Sequence, residues 1–167
     1  MLSVWISVSV SYYITNFILK YLKGDIFVNS AISALSEVLS LFMAGYFYLK
    51  FGLIAALTVS FGLGFVGGML IMFFESVPSL MPIFVLLTRF GIGSAFGLIY
   101  LANFIFPVTY ASQTLGFCNT TARTFTIMSP IIAEQEFPAP MIVFCALCIY
   151  GISIIRVLEI KKIQPKE

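Results

Sequence analysis

The chain has 167 residues, of which 60% are apolar and 10% charged, and its mean hydropathy is +1.07. Soluble domains carry roughly half apolar and about a quarter charged residues, so this composition excludes an ordinary soluble domain and predicts an integral membrane protein in a lipid bilayer. The net charge is only +2, so nucleic acid is not an expected partner.

Six stretches are long and apolar enough to span a bilayer, which takes about 20 residues per helix. They comprise residues 1–20, 27–49, 52–74, 81–105, 112–133 and 139–158. The first lacks the basic region and cleavage site of a signal peptide, so it is predicted to be a retained membrane helix. Transmembrane strands are about 10 residues long and alternate apolar with polar residues, and these stretches do neither. The sequence therefore predicts an all-α protein with a six-helix transmembrane domain over residues 1–160 and a tail over residues 161–167.

Short segments with charges, glycine or proline separate these stretches. Lys50-Phe51-Gly52 divides the second stretch from the third. Pro107 ends the fourth, since proline lacks an N–H and disfavours helix at the residue before it. Residues 134–140 separate the fifth stretch from the sixth.

The basic residues at the ends of the stretches and between them predict the orientation. Two of them, Lys20 and Lys23, lie on one side of the membrane. Five lie on the side that the second loop shares with the tail: Lys50, Arg156, Lys161, Lys162 and Lys166. Because cytoplasmic loops are enriched in lysine and arginine, both termini are predicted to be cytoplasmic.

Three ionisable residues lie inside the predicted spans: Glu37, Arg89 and Arg123. Such residues are costly in lipid and mark functional sites. Arginine recognises carboxylate or phosphate groups with two parallel hydrogen bonds, so Arg123 is a candidate substrate contact, and Glu37 is a candidate proton relay. The alternative is that Glu37 and one arginine form a pair that only holds helices together. For Arg89, which lies nearer its helix end and is able to snorkel outwards, a structural role is favoured.

Aromatic residues form a second group of candidates. Trp5 and Tyr12 are seven residues apart and share a helical face, with Tyr13 adjacent, and Phe96 and Tyr100 share a face of the fourth stretch. Aromatic walls with few polar groups suit bulky organic ligands. Packing between helices or against lipid is the alternative.

Glycine patterns predict where helices approach closely. Gly64-x-x-x-Gly68 and Gly93-x-x-x-Gly97 are small-xxx-small patterns of the kind that bring membrane helices together. Helix contact is favoured here over a role in substrate binding.

The sequence contains no signature of metal, cofactor or enzyme chemistry. Cys145-x-x-Cys148 lies in an apolar stretch of a chain without histidine, so helix packing is predicted rather than a metal or redox site. No P-loop, zinc motif, nucleophile elbow or pair of catalytic carboxylates occurs, so no enzyme, cofactor or metal is expected.

Three groups of residues carry a resemblance to a known family. The first is Trp5 with Tyr12-Tyr13, followed by Gly24-Asp25-Ile26-Phe27-Val28-Asn29 and Ser33-Ala34-Leu35-Ser36-Glu37. The second is Arg89-Phe90-Gly91-Ile92-Gly93-Ser94-Ala95-Phe96. The third is Phe106-Pro107, Gly116, Ala122-Arg123 and Ser129-Pro130. In this order and spacing, the chain resembles the C-terminal half of the organic ion transporters, the solute carrier 22-like branch of the major facilitator superfamily.

The resemblance implies helices seven to twelve of a twelve-helix fold, arranged as two inverted triplets and working by alternating access. It implies a plasma-membrane location and a partner, either an N-terminal transporter half or a second copy of this chain. Anion- and carnitine-type members tend to have arginine where Arg123 stands, which implies a small anionic or zwitterionic organic substrate. The implied cavity residues are Arg123, Tyr12, Tyr13, Glu37, Phe96 and Tyr100.

The chain also departs from the family pattern. Phe104 and Ala111 stand where the family usually has an acidic residue and an arginine, and a charged loop is reduced to Lys50-Phe51-Gly52. Those charges normally steady one transport state. Their loss favours the alternative function, a non-transporting structural or accessory membrane subunit derived from a transporter half.

Overall fold

The computed structural model describes residues 1–22, 25–75 and 77–163, and no strand occurs among them. Six α-helices follow one another: α1 Leu2–Ile18, α2 Ile26–Phe73, α3 Met81–Leu101, α4 Val108–Thr126, α5 Met128–Ala133 and α6 Ala139–Ile163. Short 3₁₀ turns precede and follow α3, at Pro78–Leu80 and Ala102–Ile105. The predicted loop residues Lys23 and Gly24, and Lys166 in the predicted tail, lie outside the described ranges.

The helix starts follow local sequence chemistry. Asp25 is the N-cap of α2, and its carboxylate accepts a hydrogen bond of 2.8 Å from the backbone N–H of Phe27. Pro107 precedes α4 in an extended conformation, as expected for a residue that ends the preceding helical run. The region predicted as one fifth span is divided at Ile127 into α4 and α5, and α5 contains Pro130.

A single glycine interrupts α2. Gly52 has φ 77° and ψ 168°, which is outside helical geometry and within the region that favours glycine. The interruption falls where the sequence predicted the boundary between the second and third spans. We refer below to the first part of α2, before Gly52, and the second part, after it.

Three elements within the described ranges are long and apolar enough to cross a membrane: Ile26–Phe73, Met81–Phe104 and Ala139–Val157. The first has 48 residues but is divided at Gly52, so at 1.5 Å per residue its two parts measure about 39 Å and about 32 Å, each long enough for the roughly 30 Å hydrocarbon core of a bilayer. Leu2–Ile18 is a shorter apolar helix of 17 residues. That the chain crosses the membrane six times stays a prediction.

Helix α3 packs against both parts of α2 through small residues. A Cβ atom at Gly91 would lie 2.8 Å from the carbonyl oxygen of Ser60 and closer still to the backbone of Gly64. Two residues further, Gly93 faces the side chain of Ser40, and the Ser94 hydroxyl donates to the Ser40 carbonyl oxygen at 3.2 Å. The predicted close helix approach through glycines is therefore present, and it brings α3 beside both parts of α2.

The apolar residues divide between an interior and an exposed surface. Val8, Ile14, Ile92 and Phe144, which lie on α1, α3 and α6, are among the fully buried side chains. Many large apolar side chains are instead exposed, among them Phe27 at 82% and Leu49 at 84%. Such an apolar surface is compatible with lipid contact.

Candidate functional site

Arg89 on α3 is buried, with 3% of its side chain exposed. Its Nη2 donates to Glu37 Oε2 on α2 at 3.0 Å, which also forms an ion pair. Its Nη1 donates to Thr15 Oγ1 at 3.2 Å and to the Tyr12 carbonyl oxygen at 3.4 Å, both on α1. One guanidinium group therefore connects three helices, instead of extending towards a helix end as the sequence allowed.

Glu37 uses both of its carboxylate oxygens in this network. Oε2 accepts from Arg89, and Oε1 accepts from the Tyr12 hydroxyl. The Arg89 guanidinium carbon also lies 4.8 Å from the centre of the Tyr12 ring, within the range of a cation–π contact. We call these four residues, Arg89, Glu37, Tyr12 and Thr15, the Arg89 network. Its charges are balanced, because one cation faces one carboxylate.

Aromatic rings continue from this network along α1 and α3. Tyr12 stacks on Phe96 with ring centres 4.7 Å apart, and Phe96 contacts Tyr100 edge-on at 5.4 Å. Tyr100 in turn contacts Trp5 at 5.2 Å. The two aromatic pairs that the sequence placed on separate helices therefore form one continuous wall.

Arg123 on α4 is exposed, and its environment differs from that of Arg89. Its Nη1 donates to the hydroxyl of Tyr13 on α1, and its guanidinium carbon lies 5.5 Å from the centre of that ring. Among the residues that the structure describes, no carboxylate pairs with it. We call Arg123 and Tyr13 the Arg123 site. The positive charge of Arg123 lies against the Tyr13 ring and, among the described residues, is not neutralised by a carboxylate.

The two groups are adjacent, because Tyr12 and Tyr13 contact each other edge-on with ring centres 5.5 Å apart. The structure thus brings together every residue predicted for the site: Arg123, Tyr12, Tyr13, Glu37, Phe96, Tyr100 and Arg89. The contacts show proximity, and the binding roles of these residues stay predictions.

Two polar residues beside the site were not predicted from the sequence. Thr15 accepts from Arg89, and its own hydroxyl donates to the carbonyl oxygens of Ser11 and Tyr12. Ser40 donates to the Glu37 carbonyl oxygen at 2.7 Å and faces Gly93. The available signal was helical spacing, since each lies three residues after a predicted site residue on its own helix.

Cys145 and Cys148 are buried free thiols on α6. Cys145 lies against Gly68 and Cys148 against Gly64, both on the second part of α2. This placement agrees with the predicted packing role. Within the described ranges, no group of three or more metal-ligating side chains occurs.

Comparison with known proteins relates the chain to one group of transporters. It is 29% identical over 135 residues to organic cation/carnitine transporter 2 of Homo sapiens and to the protein of that name from Mus musculus. It is 28% identical over 131 residues to solute carrier family 22 member 21 of Mus musculus. Each match covers 75% of this chain and 23% of the relative. No family model matches the chain.

The chain is a relative of the solute carrier 22 transporters. The resemblance predicted from the sequence is confirmed, and the matches are consistent with a segment from the C-terminal half of such a transporter. The chain spans about a quarter of the length of these relatives, since each match covers 23% of them. The relatives' names describe transporters, and the apolar helices agree with a multi-pass integral membrane protein.

Proposed function

We propose that the chain is the C-terminal half of a secondary transporter for small organic ions that are anionic or zwitterionic. The observation that carries this proposal is the unneutralised charge of Arg123 beside the aromatic wall. Arg89 already faces Glu37, so Arg123 supplies the excess positive charge of the cluster. A guanidinium group of this kind binds a carboxylate through two parallel hydrogen bonds, while the rings accommodate the organic part.

The composition of α4 supports a cavity-facing role for Arg123. Among the long helices α4 is the least apolar, and Thr120 and Thr124, three residues before and one residue after Arg123, are also exposed. A polar helix face with a fixed charge is costly against lipid tails. In our proposal this face lines a water-filled path between the chain and its partner.

The partner in this proposal is an N-terminal transporter half or a second copy of the chain, and alternating access takes place between the two. Each match covers 23% of a relative, so the segment of the relatives that resembles this chain is only part of a whole transporter. The proposed arrangement has six spans in two inverted triplets, with both termini in the cytoplasm of a plasma-membrane protein. The excess of basic residues in the second loop and the tail supports this orientation.

Uptake into liposomes tests the proposal. The chain is reconstituted alone and together with the N-terminal half of human organic cation/carnitine transporter 2, and uptake of labelled carnitine, benzoate and tetraethylammonium is measured. We expect saturable uptake of the zwitterion and the anion, and not of the cation. Arg123→Ala should abolish this uptake, whereas Glu136→Gln, which removes an exposed charge outside the site, should leave it unchanged.

The same experiment addresses the alternative function. Absence of saturable uptake in both arrangements would contradict transport and favour a structural or accessory subunit, which the reduced loop charge at Lys50-Phe51-Gly52 supports. Uptake that is equal in wild type and Arg123→Ala would show transport without the proposed role of this arginine.

A further inference from the structure

A cavity lies away from the Arg89 network and the Arg123 site. It has a volume of about 190 Å³ and lies where the end of α1 meets α5. Its lining residues are Phe17, Lys20, Tyr21, Pro130, Ala133 and Glu134. Since a water molecule occupies about 30 Å³ of liquid, the cavity holds the bulk of roughly six waters or of one solute the size of an amino acid.

The cavity presents two opposite charges and two aromatic rings. Lys20 and Glu134 are both exposed, and both line the cavity. Phe17 and Tyr21 are also exposed, and Lys20 Nζ lies 4.8 Å from the centre of the Tyr21 ring. A cation bound here would face a carboxylate and aromatic surfaces, and an anion would face an ammonium group.

The cavity follows the same seam between helices as the Arg123 site. Phe17 lies one helical turn after Tyr13 on α1, and Pro130 lies two turns after Arg123 along α4 and α5. At 1.5 Å per residue, the seven residues from Arg123 to Pro130 correspond to about 10 Å. The two sites therefore lie about 10 Å apart along the same helical segments, each with its own charged groups.

From this geometry we infer that the cavity is an outer binding site for a small zwitterion that carries an ammonium group and an anionic group. The ammonium group binds between Glu134 and the rings of Phe17 and Tyr21, and the anionic group binds Lys20. The zwitterion occupies this site before it reaches Arg123, and this sequence of events rests on the proposed transport function. A free solute and a zwitterionic lipid headgroup share the recognised chemistry.

Equilibrium binding of labelled glycine betaine to the full chain tests the site. The chain is reconstituted in nanodiscs of phosphatidylglycerol, which has no zwitterionic headgroup. We expect two classes of binding, and we expect Glu134→Gln and Lys20→Gln each to weaken one class by about tenfold, because each removes a charge-assisted contact. Glu136→Gln, an exposed carboxylate outside the cavity lining, is the matched control and should bind as wild type does.

Two further arms separate the sources of the ligand and the two proposals. Loss of the Glu134-dependent class when phosphatidylcholine replaces phosphatidylglycerol would assign the site to a lipid headgroup, and its persistence would assign it to a free solute. Arg123→Gln should remove only the other class. If Glu134→Gln and Lys20→Gln bind as Glu136→Gln does, the outer site is refuted. If wild type shows only the Glu134-dependent class of binding, and Arg123→Gln binds as wild type does, the proposed function of Arg123 is refuted and the outer site is not.

Discussion

Two arginines with the same charge occupy opposite environments in this molecule. Arg89 is 3% exposed, and its guanidinium donates to Glu37, Thr15 and the Tyr12 carbonyl oxygen. Arg123 is exposed and donates to the Tyr13 hydroxyl. The first arginine is neutralised and fixed between three helices, and the second retains its charge at a surface. Their partners, and not their depth along a helix, therefore separate a structural arginine from a candidate binding arginine.

The packing of the two helices explains the difference. The glycines of α3 allow it to approach the backbone of the second part of α2 and the Ser40 side chain of the first part, and Arg89 is two residues before the tightest of these contacts at Gly91. Helix α4 carries a more polar sequence and packs mainly along α1. A long cationic side chain becomes enclosed in the first setting and remains accessible in the second.

The largest expected effect is the loss of stability in Arg89→Gln. The substitution removes the three hydrogen bonds that the buried guanidinium group donates to Glu37, Thr15 and Tyr12, and we expect it to cost about 3 kcal/mol of the free energy of unfolding, although the Glu37 side chain is 38% exposed. Arg123→Gln is the control and should cost less than about 0.5 kcal/mol, as for most exposed positions. Unfolding in mixed micelles measures both. Equal losses in the two variants would show that the two environments do not differ in the way the contacts indicate.

A somewhat smaller loss is expected for Gly91→Ala. The added methyl group would collide with the Ser60 carbonyl oxygen and the backbone of Gly64, so α3 must move away from α2 at a cost of about 2 kcal/mol. Gly62→Ala is the matched control for this substitution, because a Cβ atom at Gly62 has no neighbour within 4 Å. The same unfolding measurement applies. A stability of Gly91→Ala equal to that of Gly62→Ala would mean that close helix contact does not hold Arg89 in place.

The break at Gly52 and the interruption at Pro107 were predictable, because glycine and proline act on the local backbone. The glycine contacts were predictable as a pattern, although the atoms that they meet were not. The number of spans remains a prediction, since α4 is too polar to be recognised as a span by its composition. Local chemistry thus predicts where helices begin and end better than it predicts what surrounds them.

The candidate site was predictable as a set of residues and not as a set of contacts. A pair between Glu37 and one arginine was among the predicted alternatives, but the choice of Arg89 depends on how far α3 penetrates between its neighbours. Tyr12 stacks on Phe96 across two helices, and spacing within one helix cannot indicate such a contact. Contacts between helices could therefore be identified only from the structure, and not from the sequence.

Tyr12→Phe should give the next effect in size. The substitution removes the hydroxyl that donates to Glu37 Oε1 and keeps the ring that stacks on Phe96, so only one hydrogen bond is lost. We expect a loss of about 1 kcal/mol in the free energy of unfolding. A double-mutant cycle with Glu37→Leu, which leaves no acceptor for the hydroxyl, isolates the contact, and a coupling energy near zero would contradict the hydrogen bond between these two side chains.

The smallest effect on stability, and the sharpest test of the comparison, is expected for Tyr13→Phe. Its hydroxyl contacts an exposed arginine, so the loss of stability should stay below about 0.5 kcal/mol. The ring remains beneath the guanidinium, but the hydrogen bond that orients it is gone, so binding of labelled benzoate should weaken by a few-fold. Tyr110→Phe, at a tyrosine that is 60% exposed on α4, is the control and should change neither quantity. If Tyr13→Phe destabilises the protein as much as Tyr12→Phe and leaves benzoate binding unchanged, the Arg123 site has a structural role like that of the Arg89 network.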